Sequence, residues 1–110
     1  MKKLDLKKYQ VEVVTEEGKK KLVDYDVMQS LVGLLLHPDL KLNGLALLEQ
    51  NELAGKLILN EGKEMLLEDS EYEKIKRPFD VVTGFNKNDV ELVRRVLKAE
   101  TVEVAEKKKQ

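Results

Sequence analysis

The only histidine of this 110-residue sequence, His37, is the one side chain whose ordinary pKa lies near neutrality, so general-base or metal chemistry would have to start there. Its company does not extend that chemistry. Asp39, two residues on, offers a second ligand, but a zinc site takes three or four, and there is no second histidine and no cysteine. The plainer reading of His37 is a residue that caps or packs at a helix end. Paired carboxylates come next: Asp24 with Asp26, Glu68 with Asp69, Glu71 with Glu73. Such a pair supports acid–base hydrolysis when one member is desolvated. Glu68 and Asp69, however, stand before a predicted helix, where the helix dipole favours anions for structural reasons. Ser30 and Ser70 have no histidine at motif spacing, and no glycine-rich phosphate loop is present. The expectation is a non-enzymatic chain with no metal, no cofactor and no small-molecule substrate.

Cations could instead contact phosphates. Lys19, Lys20 and Lys21 fall on a predicted hairpin beside Lys7 and Lys8, while Arg94, Arg95 and Lys98 fall on a predicted helix face turned to solvent. Twenty basic residues nearly cancel 21 acidic ones, so no long-range field of one sign steers the chain toward nucleic acid or an anionic membrane. Only five aromatic residues exist, and none alternates with the cations as a base-stacking platform requires. A regulator binding nucleic acid or the transcription machinery through these two patches is therefore the second reading.

The elements that must position these residues follow from the patterning. Tyr9 to Thr15 alternates as a strand, Glu16-Glu17-Gly18-Lys19 reads as a turn, and Lys20 to Tyr25 returns to complete a hairpin. Asp26 suits a helix N-cap, with Gln29 at the capping-box position, for a first helix over Val27–Leu36. Met28, Leu31, Val32 and Leu35 define its apolar stripe, which Val27, Leu34 and Leu36 widen until little polar face remains. Pro38 ends it. A second helical region spans Leu45 to Leu59, with Gly55 as a possible break. Glu64 to Leu67 reads as a short strand. Ser70 with Glu73 forms a capping box for a third helix, which Pro78 should kink or stop. A fourth helix runs from about Asn88 to Ala99, with Val90, Val93 and Leu97 inward and Arg94 and Arg95 outward. Thr101 to Ala105 alternates as a last strand.

Strands and helices do not alternate strictly in this order, which predicts an α+β fold: one small domain over residues 1–105, with an N-terminal β-hairpin and two short strands packed with about four helices, then a charged, disordered tail over 106–110. The 37% share of charged residues lies well above a typical globular value of about 25%. High charge, absent cysteine and nine Asn plus Gln suit a thermophile. No apolar run approaches the roughly 20 residues that span a bilayer, and Met1-Lys2-Lys3-Leu4-Asp5 does not read as a signal peptide. The expected compartment is the cytoplasm.

Two resemblances add to this reading. His37-Pro38-Asp39 resembles the signature tripeptide of J-domain co-chaperones, which implies an Hsp70 partner. The preceding helix of that family presents basic residues, whereas Val27–Leu36 holds none and follows a hairpin. The hairpin, the Asp-capped helix opening Tyr25-Asp26-Val27-Met28-Gln29-Ser30-Leu31, the leucine-rich second helix, and Leu66-Leu67-Glu68-Asp69-Ser70-Glu71-Tyr72-Glu73 opening a third are together similar in arrangement to small accessory proteins of tailed phages and prophages. That resemblance implies a virion-assembly or host-interaction role, in the virion or the host cytoplasm, and carries over no functional residues.

The apolar surplus in the first two helices exceeds what so small a domain hides easily, and apolar surface left after folding marks a partner or a second copy. The leading expectation is a protein–protein interaction module that self-associates into a homo-oligomer, with Met28, Leu31, Val32 and Leu35 as contacts.

Overall fold

The computed structural model describes residues 1–60 and 62–103. Its sheet begins with a strand that the patterning above did not anticipate, β1 (Lys2–Asp5). β1 is the centre of a three-stranded antiparallel sheet, flanked by β4 (Glu64–Leu67) and the two-residue β5 (Glu100–Thr101). Lys2 pairs with Leu67 and Leu4 with Met65 on one side, and Lys2 with Thr101 on the other. Leu4 and Leu67 are fully buried. Lys3, on the opposite face, reaches Glu64 at 3.9 Å and Glu100 at 3.6 Å.

The predicted hairpin forms a separate two-stranded ribbon, β2 (Tyr9–Val14) with β3 (Lys20–Tyr25), in the register Tyr9–Tyr25 to Val14–Lys20. Gly18, with φ of 82°, supplies the left-handed residue of its turn. A lone two-stranded ribbon is marginal in water, and this one is anchored at its base. The Tyr9 and Tyr25 rings stack at 4.7 Å, and the Arg95 guanidinium lies 5.0 Å from the Tyr9 ring centre. The Tyr25 hydroxyl donates to Asp89 Oδ1 at 2.6 Å, and the Tyr9 hydroxyl donates to the Asn88 carbonyl at 2.8 Å.

Helix α1 (Val27–Leu35) starts where expected, with Asp26 accepting from the Gln29 N–H at 3.0 Å. A 3-10 turn, Pro38–Leu40, follows it. Helix α2 (Gly44–Leu59) is capped by Asn43 and runs unbroken through Gly55, because Leu53, Ala54 and Leu57 bury one face on both sides of the glycine. The N-cap of helix α3 (Asp69–Val81) lies two residues before the Ser70 cap expected from the sequence: it is Glu68, and the Glu71 carboxylate accepts from its N–H at 3.0 Å. Pro78 neither kinks α3 to a halt nor stops it. Its ring is buried, and the carbonyl of Lys74, deprived of a partner four residues on, is met by the Gln50 side chain. Gln50, itself buried, also donates to the Leu35 carbonyl at 3.2 Å.

Helix α4 (Val90–Leu97), preceded by a 3-10 turn at Lys87–Asp89, presents a different face from the one expected. Leu92 and Val96 are fully buried, whereas Val90 and Leu97 are exposed. The Arg95 side chain turns inward, only 12% exposed, bound to Glu91 at 3.0 Å and to the Lys7 carbonyl at 2.6 Å. The helix is rotated because its apolar arc is wider than the core can cover, and Arg95 finds partners only at the base of the hairpin. The core unites Leu4, Val27, Leu31, Leu35, Leu53, Leu57, Leu67, Ile75, Leu92 and Val96, with the Tyr72 hydroxyl donating to the Val96 carbonyl at 2.6 Å. The fold is thus α+β, with two small sheets and four helices among the described residues. Residues 104–110, and with them the end of the expected last strand and the tail, lie outside the described residues.

Candidate interaction surfaces

Several of the residues that could have carried chemistry make structural contacts. His37 Nδ1 accepts from the Asp39 N–H at 3.0 Å, so His37 caps the turn that follows α1. Asp26 caps α1. Asp24 lies 3.5 Å from the Gln10 amide nitrogen. Glu71 closes the start of α3 and pairs with Lys56 of α2. Burial pushes the Glu71 carboxyl up, but the Lys56 ammonium, the Glu68 N–H and the charge of Lys74 together hold it below its ordinary value. Among the described residues, no three His, Cys, Asp or Glu side chains converge to hold a metal ion. No helix there is long and apolar enough to cross a membrane.

The two cationic patches are not brought together. Lys19 to Lys21 lie at the tip of the ribbon, where Lys20 and Lys21 pair with Val14 and Val13. Five residues at about 3.3 Å each separate Lys20 from Tyr25, so the tip stands roughly 17 Å from the anchored base. Arg94 and Lys98 are exposed on α4, with Arg94 paired to Glu91. Arg95 leaves the patch altogether as a residue that ties α4 to β1 and the hairpin.

The expected contact stripe on α1 is also corrected. Leu31 and Leu35 are each 1% exposed and belong to the core, and Met28 and Val32 are half-buried against it. α1 is covered because α2 and α3 both pack on it. The apolar surplus surfaces one helix later.

The outer face of α2 carries Gly44, Leu48, Asn51, Gly55 and Ile58, at successive spacings of four, three, four and three residues. That is a seam with the period of a helix–helix contact. Leu45, Leu47 and Leu59 flank it, and all five of its apolar side chains are exposed, Ile58 at 60% and Leu59 at 79%. No neighbour inside the monomer requires a glycine at position 55. A Cβ built on it meets nothing within 4 Å, and the same holds for Gly44, although a helix-interior glycine costs about 1 kcal/mol relative to alanine. At the Gly44 end, Leu36 joins Gly44, Leu47, Leu48 and Asn51 around a groove of about 440 Å³. The sequence does carry the heptad spacing, but the leucines on both sides of α2 mask it. Only the burial of Gln50, Leu53, Ala54 and Leu57 shows which side is left over.

A second unpartnered apolar surface runs along α4, where Phe85, Val90, Val93 and Leu97 line a groove of about 530 Å³. No family model, no curated protein and no solved structure matches this chain.

Proposed function

We infer that the protein is a non-enzymatic interaction module that self-associates through the outer face of α2. The observation that carries this reading is the order of large and small residues along the seam. A twofold interface uses the same patch on both copies, so the patch must be complementary to itself when run backwards. Placing the axis at Asn51 of an antiparallel α2 pair sets Gly44 against Ile58 of the second copy and Leu48 within one residue of Gly55. Asn51 then lies beside its own counterpart. Every facing pair is large on small, except the central one, which can hydrogen-bond across the axis. The exposed Ile58 and Leu59 of one copy reach the groove beside Gly44 of the other. Glycines with nothing near them become the holes that the facing side chains fill.

The seam is what a self-assembling accessory protein needs, and the resemblance in element order to small tailed-phage and prophage proteins suggests the same kind of role. A role in assembly or host interaction belongs to this proposal. The sedimentation behaviour of the intact chain over a range of concentrations, beside that of Leu48→Glu, tests the reading.

A further inference from the structure

We propose that the groove along α4 docks an acidic amphipathic helix of another protein. Val90, Val93 and Leu97 stand at i, i+3 and i+7, so they form a straight ridge about two turns long. Half of the apolar arc of α4 is spent on the core by Leu92 and Val96. This ridge is the other half, and no element of the described chain covers it. Phe85, stacked on Phe79 of α3 at 5.5 Å, walls the groove. An open apolar groove beside a helix ridge fits a second helix laid along it through its own i, i+3, i+4 and i+7 positions.

The rim decides the charge of that partner. Lys87, Arg94 and Lys98 are the charged residues that line the groove. Arg94 shares Glu91 with Arg95, while Lys87 and Lys98 make no ion pair among the described residues. A helix with carboxylates beside its apolar stripe meets these cations, and a basic one is repelled. The groove is distinct from the self-association seam, because its lining lies on α4 and the segment just before it, whereas the seam lies on α2.

The test is fluorescence anisotropy of the full chain with two synthetic helical peptides of about 14 residues, enough for roughly four turns. Both carry leucine at i, i+3, i+4 and i+7; one has glutamate at the flanking positions and the other has lysine. Saturable binding of the glutamate peptide, at least roughly tenfold tighter than the lysine peptide and weakened by added salt, is the expected result. Val90→Asp and Leu97→Asp alter exposed side chains, so the fold is kept, and each should weaken binding roughly tenfold; Lys87→Glu with Lys98→Glu should erase the preference for glutamate. Equal binding of the two peptides, or glutamate-peptide binding that survives both aspartate variants, overturns the proposal. So does a short DNA duplex that binds these lysines more tightly than the peptide, or decanoate filling the groove while neither peptide binds.

Discussion

Gln50 stands in for the amide hydrogen that Pro78 lacks. Its Nε2 lies 3.5 Å from the carbonyl oxygen of Lys74, the acceptor that residue 78 would serve in an uninterrupted helix, and 3.2 Å from that of Leu35. One buried side chain on α2 thus completes the backbone of both α1 and α3. Gln50→Leu should destabilise the protein by about 1–3 kcal/mol in urea unfolding, because it strands buried carbonyls. Pro78→Ala returns an N–H to the Lys74 carbonyl, so the loss caused by Gln50→Leu should shrink in that background, and a double-mutant cycle should give a coupling of about 0.5 kcal/mol or more. Additive effects would detach Gln50 from Pro78.

The hairpin base is built on neutral phenols. Burial, then the Asp89 hydrogen bond, pushes Tyr25 above its ordinary value, and burial outweighs the Leu92 N–H to push Tyr9 up as well. The fold therefore favours the protonated phenols. The stability they contribute is complete below about pH 10, the unfolded value, and is lost as pH rises from there through the folded values. Tyrosinate absorbance should show these two rings titrating late. Tyr25→Phe should loosen the hairpin by about 1–3 kcal/mol, seen as faster hydrogen exchange in β2 and β3.

Glu71 acts at the opposite end of the pH scale. Its carboxyl is held below the ordinary value, so its contribution is present above about pH 4.5 and disappears as pH falls through the lower, folded value. Glu71→Gln should lower stability at pH 7, and that loss should shrink as pH falls through the folded value, which flattens the acid limb of a stability–pH curve. Lys56→Met should reproduce part of that flattening, since Lys56 is the strongest partner.

Local signals were legible where one residue settled the structure. Asp26 marks the start of α1, Gly18 marks the turn, and alternation from Tyr9 marks β2. Strand β1 is hidden because its lysines and Asp5 outnumber Leu4, and only pairing with β4 and β5 makes it the sheet centre. The inner face of α4 is ambiguous in the sequence because Val90, Val93 and Leu97 form as good a stripe as Leu92 and Val96, and the choice depends on where Arg95 finds partners. Similarly, α1 and α2 are both apolar enough for core or interface, and packing order alone assigns α1 to the core.

The seam separates folding from assembly at Gly55. Gly55→Ala adds a methyl that meets nothing in the monomer, so thermal stability of the dilute protein should rise, by about 1 kcal/mol from helix propensity. The same methyl fills the hole facing Leu48 of the second copy, so association should weaken roughly tenfold. Sedimentation and thermal melts of one variant would then move in opposite directions.

An antiparallel pair centred on Asn51 also has a covalent signature. The chain has no cysteine of its own, so Asn51→Cys should oxidise rapidly to a disulfide-linked dimer. Gly44→Cys should not, since its copy would lie at the far end of α2, roughly 20 Å away along the helix. Efficient linking through Cys at 44 would indicate a parallel pair instead.

Light scattering measures the central claim most directly. The account predicts that the intact chain at high micromolar concentration has twice the monomer mass of 12.6 kDa, and that Leu48→Glu, folded by circular dichroism, returns to the monomer mass. A strictly monomeric mass for the unaltered chain at every concentration, or a dimer unaffected by Leu48→Glu, would contradict it.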